Sequence, residues 1–155
     1  MHMNFAYDAK MVPISPATAA GTGTITSAVV DMQGFDSVAL IVYLGDVDSG
    51  SVLTLTGNTN DVDSTSGGTA LAEAATFTAG ASDADDGLMV LDLHMPREQY
   101  VFATLGRASA DAAVNGMVAI LYNAHQKPTT QDAKVGANVL SNDPAPAEAV
   151  PARTR

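Results

Sequence analysis

Three histidines, two acidic turns and a few isolated cations are the residues here whose types could do chemistry. A histidine works as a general base when a nucleophile lies beside it and a third group orients it. His2 at the start of the chain, His94 at the end of an apolar run and His125 at the head of a polar stretch sit in no catalytic motif, and they read as exposed or incidental side chains. Asp92 precedes His94 by two residues. Residues two apart on a strand share a face by default, so that proximity needs no catalytic explanation. No catalytic residue is assigned, and the chain reads as a protein that is not an enzyme.

The acidic turns Asp46-Val47-Asp48-Ser49-Gly50-Ser51 and Asp83-Ala84-Asp85-Asp86-Gly87 resemble the opening of a calcium loop, where oxygens on a glycine-relieved turn ring a hard cation. Both lack the bidentate glutamate that closes an EF-hand, and Asp and Gly clusters are equally the composition of solvated hairpin turns. No metal or cofactor is assigned. Walker-type glycine loops, paired zinc ligands and nucleophile elbows are missing from the sequence. With no cysteine there is neither a disulfide framework nor a thiolate site.

Charge narrows the partners. Seventeen acidic residues against seven basic ones give a net charge of -10, and no Lys or Arg occurs between Lys10 and Arg97. Nucleic-acid affinity comes mainly from cations that displace counterions from phosphate, so DNA and RNA are excluded as partners. Mutual repulsion keeps such bodies soluble at high local concentration, which suits a protein present in many copies. Arg97, Arg107 and Lys127 are the cations between Lys10 and Lys134. A structural salt bridge is the commonest fate of such a residue, and contact with an acidic patch on a partner is the other. The first eight residues have no basic start or apolar core, and no run approaches the roughly 18 apolar residues of a membrane span, so neither secretion nor a membrane partner is expected.

The elements that must position these groups are strands. The 155 residues fit one domain with tails, 46% of them hydrophobic but only 5% aromatic, which predicts a core of small side chains. From residue 24 onward short β-rich runs recur between turns of Asp, Ser, Asn, Thr and Gly. Seven strands are expected, over residues 24–32, 37–44, 51–57, 72–78, 88–94, 100–105 and 116–122. The near-continuous apolar run 37–44 suggests a strand buried on both faces. In 88–94, Met89, Leu91 and Leu93 share a face and Asp92 and His94 take the other. Residues 68–75 and 108–113 are alanine-rich enough for a helical turn but too short for a stable helix. The expectation is an all-β protein, an antiparallel β-sandwich of jelly-roll type spanning residues 24–124.

Both flanks differ from that middle. Residues 1–23 have no hydrophobic period, carry Pro13, Pro16, Gly21 and Gly23, and read as an extended N-terminal arm. An arm with the apolar side chains Met3, Phe5, Tyr7, Met11 and Ile14 is expected either to pack on its own domain or to lie on a partner, with Phe5, Tyr7 and Met11 as anchors. Residues 125–155 read as an extended Pro- and Ala-rich tail. There Val135, Val139 and Leu140 are the expected contacts, and Arg97 in the body is added as a cation free for a partner.

The stretch Leu91-Asp92-Leu93-His94-Met95-Pro96-Arg97-Glu98-Gln99-Tyr100-Val101, followed by Asn115-Gly116-Met117-Val118-Ala119-Ile120-Leu121-Tyr122, resembles the small head proteins encoded beside the major capsid protein in tailed bacteriophages. In that group a strand ending in a Pro-Arg corner leads into a Tyr-Val strand, and an apolar strand closes the domain. The resemblance covers residues 25–131. It implies a decoration or cement protein without a cofactor, made in the bacterial host cytoplasm and carried on the outer surface of the virion's capsid. Its implied partners are the major capsid protein and itself, as a dimer or trimer. A carbohydrate- or receptor-binding sandwich, as in a head fibre or tail module, is the alternative; such sites place aromatic platforms over sugar rings, and four Tyr, four Phe and no Trp give that little support.

Overall fold

A computed structural model describes residues 4–81 and 84–136 of the chain. After a single helical turn, α1 (Phe5–Asp8), the described residues form nine strands: β1 (Lys10–Ser15), β2 (Gly23–Thr26), β3 (Val30–Asp31), β4 (Phe35–Val47), β5 (Val52–Asn60), β6 (Thr69–Thr78), β7 (Leu88–His94), β8 (Tyr100–Ala108) and β9 (Ala112–Ala124). They build two antiparallel sheets, ordered β1-β9-β4-β7 and β2-β8-β5-β6, with β3 continuing the track of β2 along β8. Counting β2 and β3 as one interrupted strand, this is the double Greek key of a jelly roll, the architecture expected from the sequence.

The break between β2 and β3 has a local cause. Ser27 is buried, its Oγ accepts the Ala103 amide at 2.8 Å and donates to the Ala28 carbonyl at 2.8 Å, so a side chain replaces a ladder bond there. The displaced backbone then crosses the sandwich, where the Ala28 amide donates to the Ile14 carbonyl of the opposite sheet at 2.7 Å.

The core lies where the alternating residues of both sheets meet. Val38, Leu40, Val42 and Leu44 from β4 and Met117, Ala119 and Leu121 from β9 face Leu53 and Leu55 from β5 and Val101, Ala103 and Leu105 from β8. Gly57 permits close approach, since a Cβ there would stand 2.9 Å from Leu93 Cδ1 and 3.2 Å from Leu71 Cδ1. Neither stretch that composition allowed as a helical turn is helical: residues 69–75 belong to β6, and residues 109–111 make the tight reversal from β8 to β9. β4 is not buried on both faces. Its inward residues are covered, but Ala39 and Ile41 are half-buried and Tyr43 is 44% exposed.

The largest correction falls on the arm. Residues 10–15 form β1, an edge strand of the first sheet paired with β9 from Lys10 opposite Leu121 to Ser15 opposite Met117. Ile14, expected to touch a partner, is 4% exposed and belongs to the core. The hydrophobic period was hidden because Pro13 interrupts the run and a register shift follows it. The start of the expected tail folds back to hold this segment. Gln131 accepts the Met11 amide at 2.8 Å and donates to the carbonyls of Ala6 and Ala9, while the Thr129 amide donates to the Tyr7 carbonyl and Lys127 pairs with Asp8 at 2.6 Å. Residues 16–22 are fixed separately by Arg107, whose guanidinium donates to the carbonyls of Ala19, Ala112 and Gly23. Arg107 thus serves backbone oxygens and not the carboxylate expected of it.

Gln131→Ala removes those bonds and leaves part-buried backbone groups to water or to nothing. The expected cost is about 1–3 kcal/mol, seen as faster amide exchange at Met11 than at Leu40 or Leu105. In the second sheet, Leu55→Ala leaves a cavity in a fully covered layer and is expected to lower the unfolding free energy by about 2–5 kcal/mol in denaturant titration.

Candidate interaction surface

The outer faces of the two sheets are chemically unlike. On the β2-β8-β5-β6 sheet the outward positions are largely threonine, with Thr24 and Thr26 on β2, Thr104 on β8, Thr54 and Thr56 on β5 and Thr76 and Thr78 on β6. Such residues suit a solvated pleat, because the β-branched carbon packs and the hydroxyl meets water. On the β1-β9-β4-β7 sheet, register places Leu88 and Val90 beside Tyr43 and Ile41, then Val118 and Ile120, then Pro13 and Met11. Leu88 is 65% exposed, Val90 51% and Val118 37%. From strand spacing and rise this face measures roughly 20 by 24 Å, on the order of 450 Å² in plan. The apolar part of this face excludes the end with Asp92 and His94, and exposed patches of a few hundred Å² are often interaction sites.

Polar groups gather at one end of the face, and each is engaged. His94 Nδ1 lies 2.8 Å from Ser37 Oγ, which also accepts from Asn123 Nδ2 at 3.1 Å. A serine beside a histidine is the beginning of a nucleophilic pair, but Ser37 is fully buried and Asp92 does not orient the ring. Asp92 instead accepts the Tyr122 hydroxyl at 2.5 Å. That bond, then burial, then the nearby negative charge, raises the Tyr122 phenol above its ordinary value of 10.0, with Ser37 opposing. His125 pairs with Asp36 at 2.7 Å on the exterior, beside an open cleft of about 500 Å³ lined by Lys10, Phe35, Pro128 and Thr129.

The two acidic turns touch, with the Asp86 amide donating to the Gly45 carbonyl at 3.1 Å, but their contacts are to backbone. Asp85 accepts the Val47 amide at 2.9 Å, the Asp48 amide donates to the Asp111 carbonyl, and Gly50 takes φ 85°. Among the described residues no three acidic or histidine side chains gather as a metal site would require.

The residues expected to contact partners are spread over three places. Met11 lies half-buried on the apolar outer face, opposite Ile120. Phe5 is 55% exposed on α1, and Tyr7 is half-buried where Thr129 holds its carbonyl. Arg97 is exposed at the corner after β7, with no ion pair to any described residue, and Val135 is half-buried in the turn closed by its amide on the Asp132 carbonyl. Met3, Val139 and Leu140 lie outside the described residues. Ile41, Tyr43, Leu88, Val90, Val118 and Ile120 were not singled out from sequence. Their signal was present, since runs 37–44 and 88–93 are apolar at positions of both parities, which in an antiparallel sheet means either a covered outer face or a bare one.

The fold and this surface define a class: an antiparallel jelly-roll β-sandwich with one polar and one apolar exterior. No family model matches the chain, and no curated protein matches it in sequence. Among solved structures it is similar to a chain from the structure of infectious bursal disease virus Gx strain, at 18% identity and TM-score 0.44, covering 79% of this chain and 32% of that one. A chain of the infectious bursal disease virus VP2 subviral particle gives 18% identity and TM-score 0.42 over 76% of this chain and 31% of its own. Eiger TNF from S. frugiperda gives 8% identity and TM-score 0.36 over 77% and 99%. The chain thus spans about a third of the two viral chains it matches, and at these scores no function is drawn from them.

The folded chain holds the Tyr122 proton more tightly than the unfolded chain does. The Tyr122–Asp92 bond therefore stabilises fully below pH 10 and its contribution is lost as pH rises through the folded value above that. Asp92→Asn is expected to bring the phenol titration, followed by ultraviolet absorbance, back toward 10.0; an unchanged midpoint would show that Asp92 is not the cause.

Proposed function

We propose that this chain is a structural protein of a virus particle, a capsid decoration or cement protein that binds the outside of a phage head and acts without catalysis. The observation that carries the reading is the exposed apolar cluster Leu88, Val90, Tyr43 and Val118 on the outer face of the first sheet, with Asp92 and His94 confined to one end of that face, on a body of net charge -10. A soluble protein that keeps Leu88, Val90, Tyr43 and Val118 in water gains by covering them, and the rest of its surface repels other acidic chains. The jelly roll is an architecture used by viral capsid domains, which is an analogy of fold and lends support only at that level. The resemblance of the segments around the Pro96-Arg97 corner and β9 to phage head proteins points the same way.

The physics of such a role is mass action. A protein that binds the assembled shell and not its free subunits stabilises the shell by RT ln(1 + [L]/Kd), about 2.7 kcal/mol per site at a hundredfold excess over Kd. Many equivalent sites on a lattice make modest contacts sufficient. The contact surface proposed here is the folded body's apolar face with Met11 and Phe5 at its margin, in place of an arm wrapped around a neighbour, because residues 10–15 are committed to β1.

The test is co-sedimentation of the purified chain with expanded, DNA-free heads assembled from the major capsid protein that the proposal makes its partner. Saturable binding that raises the disruption temperature of the shells, and that Ile41→Lys with Val118→Lys weakens at least tenfold, is the expected outcome. No binding at micromolar concentration would overturn the reading, and saturable binding on a glycan array would move it to the carbohydrate class.

A further inference from the structure

Two sheets have four edges, and each edge strand exposes unpaired backbone amides and carbonyls that invite another chain. Three edges here are blunted. β1 contains Pro13 and a register shift, and Gln131 caps its Met11 amide. β2 is four residues long and its Gly23 carbonyl is taken by Arg107. β6 carries Glu73 and pairs β5 through a register break between Thr56 and Asn58.

β7 has an acidic residue, Asp92, as β6 has Glu73, but no register break and, among the described residues, no side chain on its outward backbone groups. Its seven residues pair β4 in unbroken register from Ser37 opposite His94 to Tyr43 opposite Leu88. It contains no proline, lysine or arginine. The Leu44 amide donates to the Gly87 carbonyl and the Met95 amide to the Asp36 carbonyl, which fixes the phase of the ladder. Met89, Leu91 and Leu93 therefore turn their backbone groups to β4, while Leu88, Val90, Asp92 and His94 turn theirs outward. Among the described residues nothing bonds to that outward row.

We propose that β7 is the dimerisation edge of this protein, and that its occupant is the β7 strand of a second copy, antiparallel and related by a two-fold axis at Leu91. Three features select a second copy. In this register every outward residue finds a partner, Leu88 against His94 and Val90 against Asp92 of the other copy, each twice. Asp92 never faces Asp92, so the like-charge pair that a slipped register would create is avoided. The charges flanking the strand are complementary under the same axis, because the turn before it carries Asp85 and Asp86, the bend after it carries Arg97, and antiparallel pairing brings the acidic end of one copy toward the Arg97 end of the other. That gives the unpaired Arg97 a partner. Exposed Met95, at 65%, falls beside the other copy's Gly87, where no side chain competes for the space. The result is one eight-stranded sheet in which the outer faces of the two copies adjoin along the β7 seam. The dimer stands or falls independently of shell binding, since it requires no capsid subunit.

The experiment is sedimentation equilibrium on the full chain from about 1 to 200 µM at low salt, with amide hydrogen exchange at the same concentrations. The expected result is a two-copy species, twice 15.8 kDa, with exchange at Leu88, Val90, Asp92 and His94 slowing as concentration rises. Val90→Pro removes an outward amide that the fold does not use, a position where an edge strand tolerates proline. It should weaken dimerisation more than tenfold and leave the melting of the dilute monomer within a few degrees. Arg97→Glu should weaken it less, by an amount that added salt erases. A chain that stays monomeric to 200 µM overturns the proposal, as does a trimer, or a dimer unchanged by Val90→Pro.

Discussion

A backbone amide or carbonyl at the rim of a sheet must find a partner or remain in water, and this requirement organises more of the molecule than its core does. In the interior, alternation of Val and Leu with smaller residues is enough to specify two layers. At the rims each solution is individual: a glutamine side chain on β1, an arginine fork on the β1–β2 crossover, a buried serine at the β2–β3 break. On one side of the sandwich these devices also join the sheets, through the Ala28 amide and the Ile14 carbonyl. The other side, where β7 lies against β5 and β6, is closed by Leu93, Leu71 and Gly57 packing and not by such bonds. The molecule is thus sealed along one flank and receptive along the other.

The contrast between the two exteriors follows from the same logic. Threonine on the outside of the second sheet satisfies strand propensity and solvation together. The first sheet gives up solvation for apolar area at Ile41, Val118 and Ile120, and does so without placing a charge among them. Stability alone does not ask for this, since polar residues at those positions would leave the inward layer untouched. Such a surface is what the proposed binding would cover.

Much of this was legible before any coordinates. The period-2 runs located seven strands, and 88–94 coincides with β7 residue for residue, because turn chemistry bounds it cleanly on both sides. The jelly-roll class followed from strand number and turn spacing. β1 was missed because Pro13 is an edge-strand signal that resembles a breaker when read alone. The two alanine-rich stretches were ambiguous because alanine favours helix locally, and pairing with β5 and with β4 overrides that preference. For the surface, the sequence showed apolar residues of both parities in β4 and β7 but not which face lacked a cover. That depends on which strands are central and which are marginal, a property of topology. The bonds from Gln131 to residues about 120 positions away have no local signature at all.

The fastening of residues 6–11 to residues 127–131 also means that both ends of the folded body emerge at one spot. The chain is topologically close to a ring. It could be opened elsewhere, for instance in the exposed turn at residues 61–67 where Asn60 gathers the Ser64 and Ser66 carbonyls, and rejoined across the fastened ends with a short linker. Cargo genetically attached at either end would then share a single exit point, and cargo placed at the new opening would leave from the same end of the sandwich, beside the second sheet.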